Sequence, residues 1–151
     1  MNSLYLHGYS TVITFLDNIY LSLRLYPSGI MKTILVEETA VYPEAIAMTG
    51  IRANEWSHVC TTGNATDGVK IYINGVLQGE DDWNGTFATY SSAYYQYNNI
   101  GMVKCNNCSG SSLFPYDPHG TWNGSIDQLR LFDYSLTSLQ VAQLYNEIYS
   151  P

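Results

Sequence analysis

Trp56-Ser57-His58-Val59-Cys60-Thr61-Thr62, a polar break over 64–68, then Val69-Lys70-Ile71-Tyr72-Ile73 and Asn74-Gly75 read as two alternating strands and two tight turns. Asn-Gly is the strongest short hairpin signal, because both central residues of a type I′ turn need positive φ and these two residue types tolerate it best. Val76-Leu77 is therefore expected to fold back beside Ile73. The unit predicts an antiparallel sheet.

Outward from it, the same alternation recurs. Ser3 to His7, Thr11 to Phe15 and Ile19 to Tyr26 show period two and are separated by Gly8 and Asp17-Asn18. In the last of these, Ile19, Leu21, Leu23 and Leu25 share one face, while Tyr20, Ser22, Arg24 and Tyr26 share the other. One face belongs to a core and the other to solvent or ligand. Further strands are expected at Thr33 to Glu37, Ala45 to Thr49 and within Asn99 to Val103. The segment from Glu80 to Gly120 reads mostly as loop, acidic at Glu80-Asp81-Asp82 and then rich in aromatics. A strand is expected over Ser125 to Asp133, where Ile126 falls on one parity and Leu129 and Leu131 on the other. Burying all three requires a bulge at Asp127-Gln128. The end is helical: Thr137 and Gln140 form a capping box, Leu136 and Val141 a hydrophobic staple, and Val141, Leu144, Tyr145 and Ile148 one apolar stripe. Strands first and a helix last predict an all-β, two-sheet antiparallel sandwich with a short C-terminal helix.

At 151 residues, 46% apolar and 13% charged, the chain is one folded domain over 1–151 with a core of its own. Its 14 tyrosines suit half-buried sheet faces and recognition surfaces. A net charge of −7 with no Lys/Arg cluster argues against a nucleic-acid partner. No apolar run approaches a membrane span, since Val12 to Leu16 ends at Asp17. Met1-Asn2-Ser3 carries no signal-peptide charge, so the chain is either intracellular or a piece of a longer secreted precursor.

Four sequons favour the secreted reading: Asn64-Ala65-Thr66, Asn84-Gly85-Thr86, Asn107-Cys108-Ser109 and Asn123-Gly124-Ser125. A chain rich in Asn, Ser and Thr also produces such triplets by chance. Cys105 and Cys108 form a tight pair with three open readings, a small-loop disulfide, two free thiols, or half of a zinc site with His119 nearby. Cys60 reads as a buried small apolar residue.

Taken together, Trp56-Ser57-His58-Val59, Tyr72-Ile73-Asn74-Gly75, Ile100-Gly101, Gly124-Ser125-Ile126-Asp127-Gln128-Leu129-Arg130 and the helix from Leu136 to Tyr145 resemble the laminin-G-like and pentraxin-like branch of the concanavalin A-like jelly rolls. Order and spacing match over about the last two thirds of the chain, and Ser3 to Gly8 and Leu21 to Pro27 resemble the first strands more loosely. Only a short stretch separates Pro27 from Trp56, where the family has room for more strands, so a trimmed sheet or a strand from another chain is expected. The resemblance implies a non-catalytic recognition module for carbohydrate or glycoprotein, extracellular or at the cell surface. The other reading is a structural or assembly domain of a surface fibre, adhesin or multi-subunit complex.

The resemblance also implies calcium, held by Asp127 with the Gly8 carbonyl, although His7 stands where many members carry an aspartate. Alternatively Asp127 accepts backbone N–H bonds at a bulge. Glu80, Asp81 and Asp82 are a second, weaker candidate. For ligand recognition the aromatic candidates are Trp83, Tyr90, Tyr94, Tyr95, Tyr97 and Trp122, which otherwise fill core edges. His58 reads as a packed structural histidine. The hydrolases of this clan resemble one another in a strand carrying three carboxylates on one face. No such strand stands here, so catalysis is not expected.

Overall fold

The computed structural model describes residues 10–17, 19–26, 28–36, 43–64, 66–82, 99–100 and 124–149. Within them the order is β1 (Ser10–Asp17), β2 (Ile19–Leu25), β3 (Ile30–Val36), β4 (Glu44–Gly50), β5 (Val59–Asn64), β6 (Gly68–Ile73), β7 (Val76–Asp81), β8 (Asn99–Ile100) and α1 (Ser138–Tyr149). Two antiparallel sheets result, a five-stranded one in the order β4-β3-β2-β1-β8 and a three-stranded one in the order β5-β6-β7. β3 and β4, of 7 residues each, occupy half of the interval between Pro27 and Trp56.

Alternation along the strands builds the core between the sheets. Leu23 pairs with Thr33 and Thr33 with Ala45, so the three side chains form one row across β2, β3 and β4. Leu25 and Met31 make the next row. Facing them are Val69, Ile71 and Ile73 of β6, and all of these side chains are buried. Thr33 is the exception in chemistry. Its Oγ1 is buried with no hydrogen-bond partner among the described residues.

β6 is buried on both faces. Its other side presents Tyr72, which pairs across the sheet with Cys60 of β5 and Leu77 of β7. Leu136, Val141 and Leu144 cover that row. The expected staple is therefore present, and so is the capping box. Thr137 N–H donates to Gln140 Oε1 at 2.8 Å, and Gln140 N–H donates to Thr137 Oγ1 at 3.3 Å. Tyr72 Oη and Ser138 Oγ lie 3.1 Å apart, so this buried phenol has a partner at the helix N-terminus.

The sheets meet along β4 and β7. Register along β6 and β7 shifts between Ile71 and Tyr72, leaving Gln78 as the extra residue of a bulge. Bulges bend a strand and re-aim a side chain. Here the Gln78 carboxamide oxygen accepts from Thr49 N–H at 3.2 Å and Thr49 Oγ1 at 2.7 Å, while Asp81 Oδ2 accepts from Glu44 N–H at 2.9 Å. Two outward N–H groups of edge strand β4 are thereby satisfied by side chains. Gly79 lies between these contacts, and a Cβ there would stand 2.0 Å from the Ile46 carbonyl oxygen. Ala45 and Ala47 on the β4 side are small as well.

Gly79→Ala is expected to cost about 3 kcal/mol or prevent folding, the upper range for overpacking against backbone. Thr33→Val removes a buried, unpartnered hydroxyl at nearly constant shape and should stabilise the chain by about 1 kcal/mol. Urea-unfolding midpoints of the two variants should move in opposite directions.

Candidate functional site

The outer face of the five-stranded sheet carries Arg24 of β2. Arg24, Lys32 and Ile46 pair in register across β2, β3 and β4. Lys32 is ion-paired with Glu44. Ile46 and Met48 are 48% and 77% exposed, so apolar surface adjoins fixed charges.

Topology fixes the two ends of the aromatic connection at this sheet. β7 lies against β4 at one side, whereas β8 pairs with β1 at the opposite edge. At roughly 4.8 Å per strand, the chain between Asp82 and Asn99 has to span on the order of 19 Å. The ligand candidates Trp83, Tyr90, Tyr94, Tyr95 and Tyr97 belong to that connection and, with Trp122, lie outside the described residues. So do Gly8, Cys105, Cys108, Asn84, Asn107 and Asn123.

Asp127 is exposed, and its Oδ1 accepts from the N–H of Gln128 at 2.8 Å. Gln128 has φ +53°, a left-handed backbone that this short contact supports. Among the described residues no group of three His, Cys, Asp or Glu side chains converges. Asp127 thus supplies one carboxylate of the 6–8 oxygens that calcium takes, and its expected helper, the Gly8 carbonyl, lies outside the described residues.

A second cluster forms at the Asn74-Gly75 end of the three-stranded sheet. Asn74 and Gly75 have φ +52° and +76°, the expected type I′ geometry. Asn74 and His58 are doubly tied, Asn74 N–H donating to the His58 carbonyl at 2.8 Å and His58 N–H donating to Asn74 Oδ1 at 3.0 Å. Gly75 is also close to α1, where an added Cβ would lie 3.1 Å from Tyr145 Cβ. The His58 and Tyr145 rings are tilted at 5.9 Å, and Arg130 reaches α1 through Glu147 at 3.5 Å. Cys60 lies deeper on β5, and burial pushes its thiol up to about 11, which keeps it in the thiol form near neutral pH.

At the other end of the sheet, Asn64 closes the β5–β6 turn. Its Oδ1 accepts from Thr66 and Asp67 N–H at 2.8 and 2.6 Å, and its Nδ2 donates to Asp67 Oδ2 at 2.7 Å. This sequon asparagine has a structural task in the turn.

Several expectations are corrected. Glu80 and Asp81 are not loop charges but residues of β7, where Glu80 pairs with Lys70 at 3.7 Å and Asp81 holds β4. Neighbours on a strand point to opposite faces, so they do not form one cation site. Residues 124–132 join no ladder among the described residues, and Ile126, Leu129 and Leu131 are 38%, 43% and 67% exposed. Period-two parity does not say which side a segment buries. Trp56 to His58 precede β5, and Trp56 is 63% exposed. Sequence reasoning also missed Ile46 and Met48 as surface residues. Their alternation with Ala45 and Ala47 was the available signal, but two small alanines do not announce themselves as the buried face.

The fold defined here is a two-sheet antiparallel β-sandwich with a helix closing one face. A laminin-G-type profile described as the concanavalin A-like lectin/glucanases superfamily matches residues 5–142, and the chain belongs to that superfamily. No curated protein matches the chain. A solved structure similar to it is an S-layer domain-containing protein from Clostridium thermocellum, at 24% identity and a TM-score of 0.49, covering 96% of this chain and 66% of that one. The chain therefore spans slightly less than two thirds of that structure's length.

Asn64→Ala removes all three side-chain bonds of the β5–β6 turn. Because the turn is exposed and water replaces part of them, a loss of about 1 kcal/mol is expected in thermal or urea unfolding.

Proposed function

We propose that this domain is a non-catalytic recognition module for carbohydrate or glycoprotein ligands, working outside the cell as part of a longer exported protein. The observation that carries the reading is topological. The connection holding Trp83, Tyr90, Tyr94, Tyr95 and Tyr97 leaves the sandwich beside β4 and returns at the far edge of the five-stranded sheet. Its ends therefore lie at opposite edges of the sheet whose outer face carries the exposed Ile46 and Met48 beside Arg24 and the Lys32–Glu44 pair. Aromatic rings stack on sugar faces, and Arg and Lys donate to hydroxyl oxygens, so the two features complement one ligand class. Membership in the superfamily supports the same reading. Four sequons and the Cys105/Cys108 pair support export.

Calcium assistance through Asp127 and the Gly8 carbonyl is part of the proposal. An assembly role in a surface fibre, adhesin or multi-subunit complex is the second reading, favoured by the exposed Ile126, Leu129, Leu131, Phe132 and Tyr134.

The test is binding of the purified chain to a glycan array, with calcium and with chelator, beside Trp83→Ala, Met48→Asp and Asp127→Ala. Saturable binding that falls at least about tenfold in Trp83→Ala is expected, the loss of one well-placed anchor. Binding lost in chelator and in Asp127→Ala supports the calcium part, and binding indifferent to both removes it. A folded chain that binds no glycan but elutes as an oligomer supports assembly instead.

A further inference from the structure

The contacts around His58 join three parts of the molecule that are distant in sequence. Its backbone is held in both directions by Asn74 of the β6–β7 turn. Its ring lies against Tyr145 of α1, and the Arg130 guanidinium of the 124–132 segment acts on it electrostatically. Nδ1 is buried and has no hydrogen-bond partner among the described residues. The neutral ring tolerates this, since an imidazole nitrogen without its proton loses only an acceptor contact. An imidazolium presents an N–H at both nitrogens, so protonation would leave a charged donor buried without an acceptor and place it near Arg130.

We propose that His58 is an acid-sensitive latch for α1: protonating its ring loosens the seat of the helix and opens the apolar row of Cys60, Tyr72 and Leu77 beneath it. That row is the surface on which Leu136, Val141 and Leu144 pack. The groups facing the ring set the direction of the response. From α1 come Tyr145 and, through its ion pair with Arg130, Glu147. From the 124–132 segment comes Arg130, from the turn the neutral Asn74, and on β5 the un-ionised Cys60 stands two residues away.

Burial foremost, and Arg130 second, hold the His58 pKa below its ordinary 6.5. The folded state therefore binds its proton less readily than the unfolded chain. The neutral ring's contribution to stability is fully present above pH 6.5 and is lost as pH falls from there through the lowered folded value. Because the protonated ring acts at the helix contact and the buried cluster between the sheets holds no titratable side chain among the described residues, the loss falls first on α1.

The test is hydrogen exchange read by mass spectrometry on the intact chain at pH 7.5 and 5.5, after correction for intrinsic exchange. Peptides from 138–149 report the helix, and peptides from 44–50 report the sandwich core. In the wild type, helix protection is expected to fall several-fold at the lower pH while the β4 peptide keeps its protection. His58→Gln, which does not titrate, should show helix protection independent of pH. Arg130→Gln removes the repelling charge and keeps the ring, so its response should shrink. This variant decides the matter if His58→Gln does not fold. Equal loss in helix and β4 peptides, a wild-type helix indifferent to pH, or an unchanged response in His58→Gln or Arg130→Gln would each overturn the latch.

Discussion

The close approach of β7 to β4 is the constraint on which the rest of the structure depends. Two sheets of unequal width share one edge, and they meet there through backbone separated by almost no side-chain volume. Gly79 removes the side chain that would collide with Ile46, and the extra residue at Gln78 turns a carboxamide towards Thr49. Asp81 does the same for Glu44. Bare edge strands are templates for unwanted pairing, and these contacts use the outward N–H groups of β4 within the molecule. With the seam closed, Leu23, Leu25 and Met31 are brought against Val69, Ile71 and Ile73, and the apolar burial between them supplies the main favourable term.

β6 is the strand that this arrangement surrounds. Its inward residues fill the sandwich, while Tyr72 on the reverse side is held by α1 and by Ser138. The helix is therefore a third layer. A polar group in that layer, such as the Tyr72 hydroxyl, needs a partner because burial without one costs more than the bond contributes. His58 stands at the rim of the same layer with an unpartnered nitrogen, and for that reason the helix seat is the place where protonation can act.

The surface follows from the same geometry. Closing the seam with small residues sends Ala45 and Ala47 inward and leaves Ile46 and Met48 outward beside Lys32. The aromatic connection must then travel from the seam to the far edge of the five-stranded sheet. The order of strands thus sets the two ends of this aromatic-rich connection at opposite edges of one rigid sheet.

Local features were legible in the amino-acid sequence. The Asn74-Gly75 turn, the alternation of β2 and β6, and the Thr137/Gln140 box each depend on contacts within a few residues, so neighbouring side chains suffice to encode them. The sandwich class follows from the succession of such units. Other features were decided only by tertiary structure: the bulge at Gln78, the strand placement of Glu80 and Asp81, the exposure of Ile126 and Leu131, and the environment of His58. These depend on which strand lies beside which. The contacts that decide it, Glu44 to Asp81 and Thr49 to Gln78, join residues 37 and 29 positions apart, beyond the reach of any local pattern.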